Sequence, residues 1–115
     1  MRLHHVNLAL HPDRIDDEIA FLTDGLGLVH VDAPQFPTAR WYAFPDGTEV
    51  HLSRTDDTVR TAPGHVALVL GDAFDEVCAR LDALGFDRRA VDGLGFAVAL
   101  VTDPGGHLWE LRAAA

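Results

Sequence analysis

His5-Val6-Asn7-Leu8-Ala9-Leu10 (HVNLAL) and His65-Val66-Ala67-Leu68-Val69-Leu70 (HVALVL) read almost alike, at an offset of 60 residues. Both alternate along their length, the pattern of a half-buried strand. Extended back to Leu3, the first puts Leu3, His5, Asn7 and Ala9 on one face. His4, Val6, Leu8 and Leu10 fall on the other, mainly apolar face. A strand written twice raises the question of whether its surroundings are written twice as well.

They are. After the first strand, Ile15, Ile19, Leu22 and Leu26 recur at helical spacing, predicting a helix over 13–24. Asp13, Asp16, Asp17 and Glu18 crowd its first turns, where the helix dipole favours anions, and Gly25 and Gly27 end it. Three strands follow at 28–33, 39–44 and 48–54, separated by APQFP and PDG. The polar stretch 55–64 (TDDTVRTAPG) reads as a connector. The second half opens with the strand 65–70 and a helix at 72–84, with Asp72 as its N-cap. Phe74, Val77, Leu81 and Leu84 form that helix's buried stripe, and Gly85 stops it. FDRRAV, GFAVALVT and HLWELR supply three more strands. GLGL (25–28) lies near ALGF (83–86), and PDGTEVHL (45–52) lies over PGGHLWEL (104–111). The reading is an α+β chain of two tandem βαβββ modules, at about 1–56 and 63–115.

The superposition sets His5 on His65 and His51 on Glu110. Each half thus presents a His on its first strand and a His or Glu on its last. These are residue types that bind divalent metals. A last strand beside a first strand, with side chains alternating, can aim one ligand from each at the same face. Two such halves facing each other would converge His5, His51, His65 and Glu110. A single His on a strand is more often an ordinary polar residue than a ligand. The recurrence of both pairs in the repeat outweighs that. His4, which alternation points away from His5, does not share the recurrence. Neither do His11, His30 and His107, and His107 is read as facing the other side of its strand from Glu110.

Composition narrows the partners. Nine basic against eighteen acidic residues give a net charge of −9, which argues against nucleic acid and anionic membranes. All the basic residues are Arg, so Schiff-base and pyridoxal-phosphate chemistry lack their lysine amine. The single cysteine, Cys78, cannot form an internal disulfide, and its place in a helical pattern reads as packing. With no long apolar run and no cleavable leader pattern, the expected location is the cytoplasm.

The sequence resembles the vicinal oxygen chelate superfamily, which groups glyoxalase I, fosfomycin-resistance thiol transferases, extradiol dioxygenases, methylmalonyl-CoA epimerase and bleomycin-resistance proteins. LHHVNLAL, TEVHLSR, GHVALVL and TDPGGHLWEL carry the likeness over almost the whole chain. The resemblance implies paired modules forming a cupped mixed sheet around a metal site. By position it places the metal ligands on His5, His51, His65 and Glu110. His51 departs from many glyoxalase I sequences, which have Glu there; the fosfomycin-resistance pattern uses three ligands, matching His5, His65 and Glu110. Zinc, nickel, cobalt, iron or manganese would suit such a donor set. The implied activity is metal-dependent lyase, isomerase or dioxygenase chemistry on a small molecule that chelates through neighbouring oxygens. Glu110 would then be the catalytic base. Asn7, Trp41 and Arg54 are candidate lining residues. The alternative is a small-molecule or antibiotic-binding resistance protein without catalysis, with Trp41 and Tyr42 offering a flat aromatic wall. The ten-residue connector with Pro63 favours modules side by side. The resemblance points to a homodimer whose sites combine the first module of one subunit with the second module of the other.

Overall fold

The computed structural model describes residues 1–57 and 64–115, so Pro63 and its neighbours in the connector lie outside the described residues. Eight strands make two four-stranded sheets. In the first sheet, β1 (His5–Leu10) pairs in parallel with β4 (Glu49–Arg54). β3 (Trp41–Ala43) and β2 (Val29–His30) complete it in the order β1-β4-β3-β2. In the second sheet, β5 (Val66–Val69) pairs in parallel with β8 (Leu108–Arg112). β7 (Val98–Thr102) and β6 (Arg88–Ala90) follow, in the order β5-β8-β7-β6. Each sheet is therefore mixed, and each leaves its first strand at an edge.

The alternation predicted for the first strands decides which face is buried. Leu8, Leu10, Val50 and Tyr42 are buried on one face of the first sheet, and Trp109, Leu111, Val101 and Ala99 are buried on the matching face of the second. Two helical segments cover these faces. The first is a 3-10 turn (Pro12–Arg14), α1 (Ile15–Ala20) and a π-helical turn (Phe21–Gly25). Pro12 opens it, where a missing N–H costs nothing. The second is α2 (Phe74–Ala83), entered through a 3-10 turn at Gly71–Ala73. One continuous core joins both halves. The Phe21 ring meets Phe86 edge-on at 5.1 Å and lies 5.9 Å from Trp109. Arg80 Nε donates to the Gly25 carbonyl at 3.0 Å. The molecule measures 44 × 30 × 29 Å, one dimension well above the other two, as side-by-side sheets require.

Several expectations shift. Asp72 makes no capping bond and sits inside the 3-10 turn. Leu84 is 44% exposed because α2 stops at Ala83 and Gly85 turns the chain with φ +84; Cys78 takes its place in the buried stripe. Burial pushes the Cys78 thiol up, which suits packing rather than reactivity. The strand expected at 28–33 contracts to Val29–His30. Glu18, read as one of the acidic residues favoured in the first turns by the helix dipole, is fully buried. Among the described residues, no helix is long and apolar enough to cross a membrane.

Candidate functional site

The faces of the sheets turned away from the core carry the candidate ligands. On the first sheet the register sets His5 against Glu49, Asn7 against His51 and Trp41 against His51. These side chains therefore share one face. The His51 ring is sandwiched: Trp41 stacks on one side at 4.2 Å and 8°, His5 on the other at 3.9 Å and 11°. His51 Nε2 lies 2.6 Å from Glu49 Oε2. Next along the face, Asn7 Nδ2 donates to Ser53 Oγ at 2.9 Å. His4 does not point away: its Nδ1 lies 2.9 Å from His5 Nδ1, because β1 begins only at His5 and strand alternation does not govern His4. Tyr42 is buried on the core side, so Trp41 alone of the aromatic pair lies on the open face. Arg54 pairs in register with Leu10, on the core-side set of positions, and does not line the open face.

On the second sheet, Glu110 stands on β8 between Ala67 of β5 and Leu100 of β7. His65, one residue before β5, reaches it: His65 Nε2 lies 2.9 Å from Glu110 Oε2. The other oxygen, Oε1, accepts from Arg112 Nη1. That guanidinium also lies over the Phe96 ring, 4.9 Å from its centroid. The Arg112 hydrogen bond holds the Glu110 carboxyl below the usual carboxylate range, with a smaller pull from His65. A depressed carboxylate with both oxygens engaged is a weaker base than position alone suggests.

The structure thus brings His5 to His51 and His65 to Glu110, as two pairs on two sheets. Among the described residues, no three His, Cys, Asp or Glu side chains come together as a group able to hold one metal ion. The donors fit a divalent cation in kind, since imidazole and carboxylate are borderline and hard ligands. Their number does not suffice within one chain. Lone pairs lie in ring planes, so stacked parallel rings do not converge on one ion at the usual 2.0–2.1 Å. Sharing a cation requires one ring to turn, and His5 is the exposed one.

Two groups escaped the sequence reading. Glu49 was accessible to it, being two residues from His51 and hence on the same face; the repeat passed over it because its counterpart is Leu108. The second is a buried carboxyl pair between the sheets. Glu18 of α1 accepts from Gly105 N at 2.9 Å through Oε2, while its Oε1 has no hydrogen-bond partner. Beside it, Asp103 accepts from His107 N at 2.8 Å and from Trp109 Nε1 at 2.7 Å. Burial first, then Asp103 alongside, pushes the Glu18 carboxyl up to about 9. His107 belongs to the same seam, its Nε2 lying 2.9 Å from the Ala9 carbonyl oxygen. A groove of about 1180 Å³ lies between edge strands β1 and β5; Leu3 and Val6 line one side, Val66, Leu68 and Val69 the other. None of the four candidate ligands lines it.

Solved structures of similar architecture cover nearly the whole chain. One is a point mutant of the fosfomycin resistance protein FosX from Listeria monocytogenes, complexed with Mn(II) and 1S,2S-dihydroxypropylphosphonic acid. It superposes with a TM-score of 0.79 at 19% identity, over 99% of this chain and 93% of that one. A glyoxalase family protein from Bacillus anthracis gives a TM-score of 0.81 at 18% identity, over 97% and 93%. The oxidase ChaP-H2 gives 0.80 at 24% identity, over 100% and 94%. This is the vicinal oxygen chelate fold. No family model matches the sequence, and no curated protein matches it significantly.

Proposed function

We propose that the protein is a small metal-dependent enzyme of the glyoxalase type, acting on a small molecule that presents two neighbouring oxygens. The observation that carries this reading is the recurrence of a His pair and a His–Glu pair at equivalent places on two sheets. Because each chain holds only half-sites, the reading includes a two-fold dimer. His5 and His51 of one chain would meet His65 and Glu110 of its partner, giving two equivalent sites. The free edges of β1 and β5, and Val69 at 58% exposure, supply the unpaired apolar surface such an association would cover. The bound cation would act as a Lewis acid toward the substrate oxygens. Glu110 would hold the ion and, once His65 moves to the ion as well, take up or return a proton. Zinc, nickel, cobalt, iron and manganese all match the donors, and one structural neighbour carries manganese.

A chain that only binds a small molecule is the second reading. It is favoured by the engagement of both Glu110 oxygens and by Trp41 as a flat wall on the open face. A stoichiometric metal retained through purification without added metal favours the enzyme. The shared site is tested by mixing. A His5→Ala/His51→Ala chain is combined with a His65→Ala/Glu110→Ala chain, and metal is measured in the mixed dimer. One restored site per dimer is expected. Folded, freely exchanging variants that recover no metal would refute the cross-chain arrangement.

A further inference from the structure

Glu49 stands directly across β1–β4 from His5 and shares the open face with His51. Its contact with His51 is short, 2.6 Å from Oε2 to Nε2, and sheltered, the two side chains being 17% and 12% exposed. A carboxylate oxygen accepts, so the hydrogen bond at this distance runs from Nε2–H of the imidazole to Oε2. Trp41 and His5 cover both flat sides of that ring. Turning the ring over would remove Nε2 from Glu49 and leave a sheltered carboxylate without its donor, a costly change. Among the described residues, Nδ1 of His51 has no hydrogen-bond partner. The repeat does not demand this arrangement, since the counterpart of Glu49 in the second half is Leu108, an apolar residue.

We infer that Glu49 is a positioning residue: by accepting the Nε2 proton it fixes the tautomer of His51 and leaves Nδ1 as the nitrogen that binds the cation. The inference rests on the metal reading above and extends it to the binding atom. A carboxylate behind a ligating imidazole fixes ring orientation and raises its basicity, and its loss commonly weakens metal binding 10- to 100-fold.

The test begins on the metal-free protein labelled with ¹⁵N-histidine. Long-range ¹H–¹⁵N correlation at pH 8 is expected to show His51 protonated at Nε2 and bare at Nδ1. On adding Zn²⁺, the coordination shift is expected at Nδ1. Zinc affinity, measured by competition with a chelator, is expected to fall 10- to 100-fold in Glu49→Leu. In Glu49→Gln it is expected to stay within a few-fold of the parent, because the amide carbonyl still accepts from Nε2. A His51 protonated at Nδ1 in the metal-free protein, or coordinated through Nε2, overturns the inference. So does unchanged affinity in a folded Glu49→Leu chain. Loss of binding in Glu49→Gln as complete as in His51→Ala would make Glu49 a ligand and also overturn it. Should Glu49→Leu fail to fold, the parent spectra and Glu49→Gln decide. If the parent binds no zinc, the metal reading falls; the metal-free tautomer still upholds or overturns the positioning of His51.

Discussion

Replacing Glu18 by Gln should make the protein more stable in mild alkali. Glu18 is fully buried, one of its oxygens has no partner, and its carboxyl is raised from 4.5 to about 9. Because the folded value lies above the unfolded one, rising pH takes the proton from the unfolded chain first. Stability is therefore complete below about 4.5 and is lost as pH climbs toward 9. Inside that window each pH unit corresponds to about 1.4 kcal/mol, so passing from pH 5 to pH 8 removes about 4 kcal/mol. That is a large share of the whole stability of a small domain. Gln preserves the shape, can accept from the Gly105 N–H and can offer its NH2 toward Asp103, with no proton to lose. Thermal unfolding followed by circular dichroism from pH 5 to pH 8 should show the parent midpoint falling by about 10 °C or more relative to Glu18→Gln. Other carboxylates titrate in both proteins, so the difference between the two curves is the quantity of interest. Parallel curves would mean that the Glu18 proton is not held by the fold, and the account of the buried pair would be wrong.

Gly105→Ala should destabilise by about 1–3 kcal/mol in urea, as overpacking commonly does. The added methyl would lie 3.1 Å from Glu18 Oε2 and 3.2 Å from Leu10 Cβ; a neutral result would show the seam yields easily. His51→Ala should lower metal occupancy while leaving the fold intact. His107→Ala should spare the metal and cost about 1 kcal/mol by freeing the Ala9 carbonyl. Equal occupancy in the two would return His51 to an ordinary polar role. Glu110→Gln should lose at least about tenfold in turnover, since acid–base groups contribute on the order of 100-fold or more. Near-normal turnover with full metal would remove Glu110 from proton transfer.

Alternation made the two first strands legible, and the recurrence of His5 with His65 and of His51 with Glu110 led to the pairs found on the open faces. The placing of a last strand beside a first strand came from the same pattern; that the two run parallel came from the structure. What alternation could not reach begins where strands end. His4 precedes its strand, so the rule that would have turned it away from His5 does not apply to it. Glu18 was read as a first-turn anion because local charge pattern carries no information about Gly105, 87 residues away. Leu84 fits the helical period, yet the helix ends before it. Glu49 was hidden by the filter that selected the candidate ligands, since matching halves discards whatever only one half possesses.

The placement of the candidate ligands as two separate pairs has a consequence for dosage. If each site needs a contribution from two chains, the number of working sites depends on the square of chain concentration when dimers are scarce. Dilution would then silence the protein before it unfolds. A chain defective in one pair would still occupy a partner and spoil one of its two sites, while two chains with complementary defects would restore one. Loss-of-function variants would therefore sort into two complementing groups, divided between the halves of the sequence.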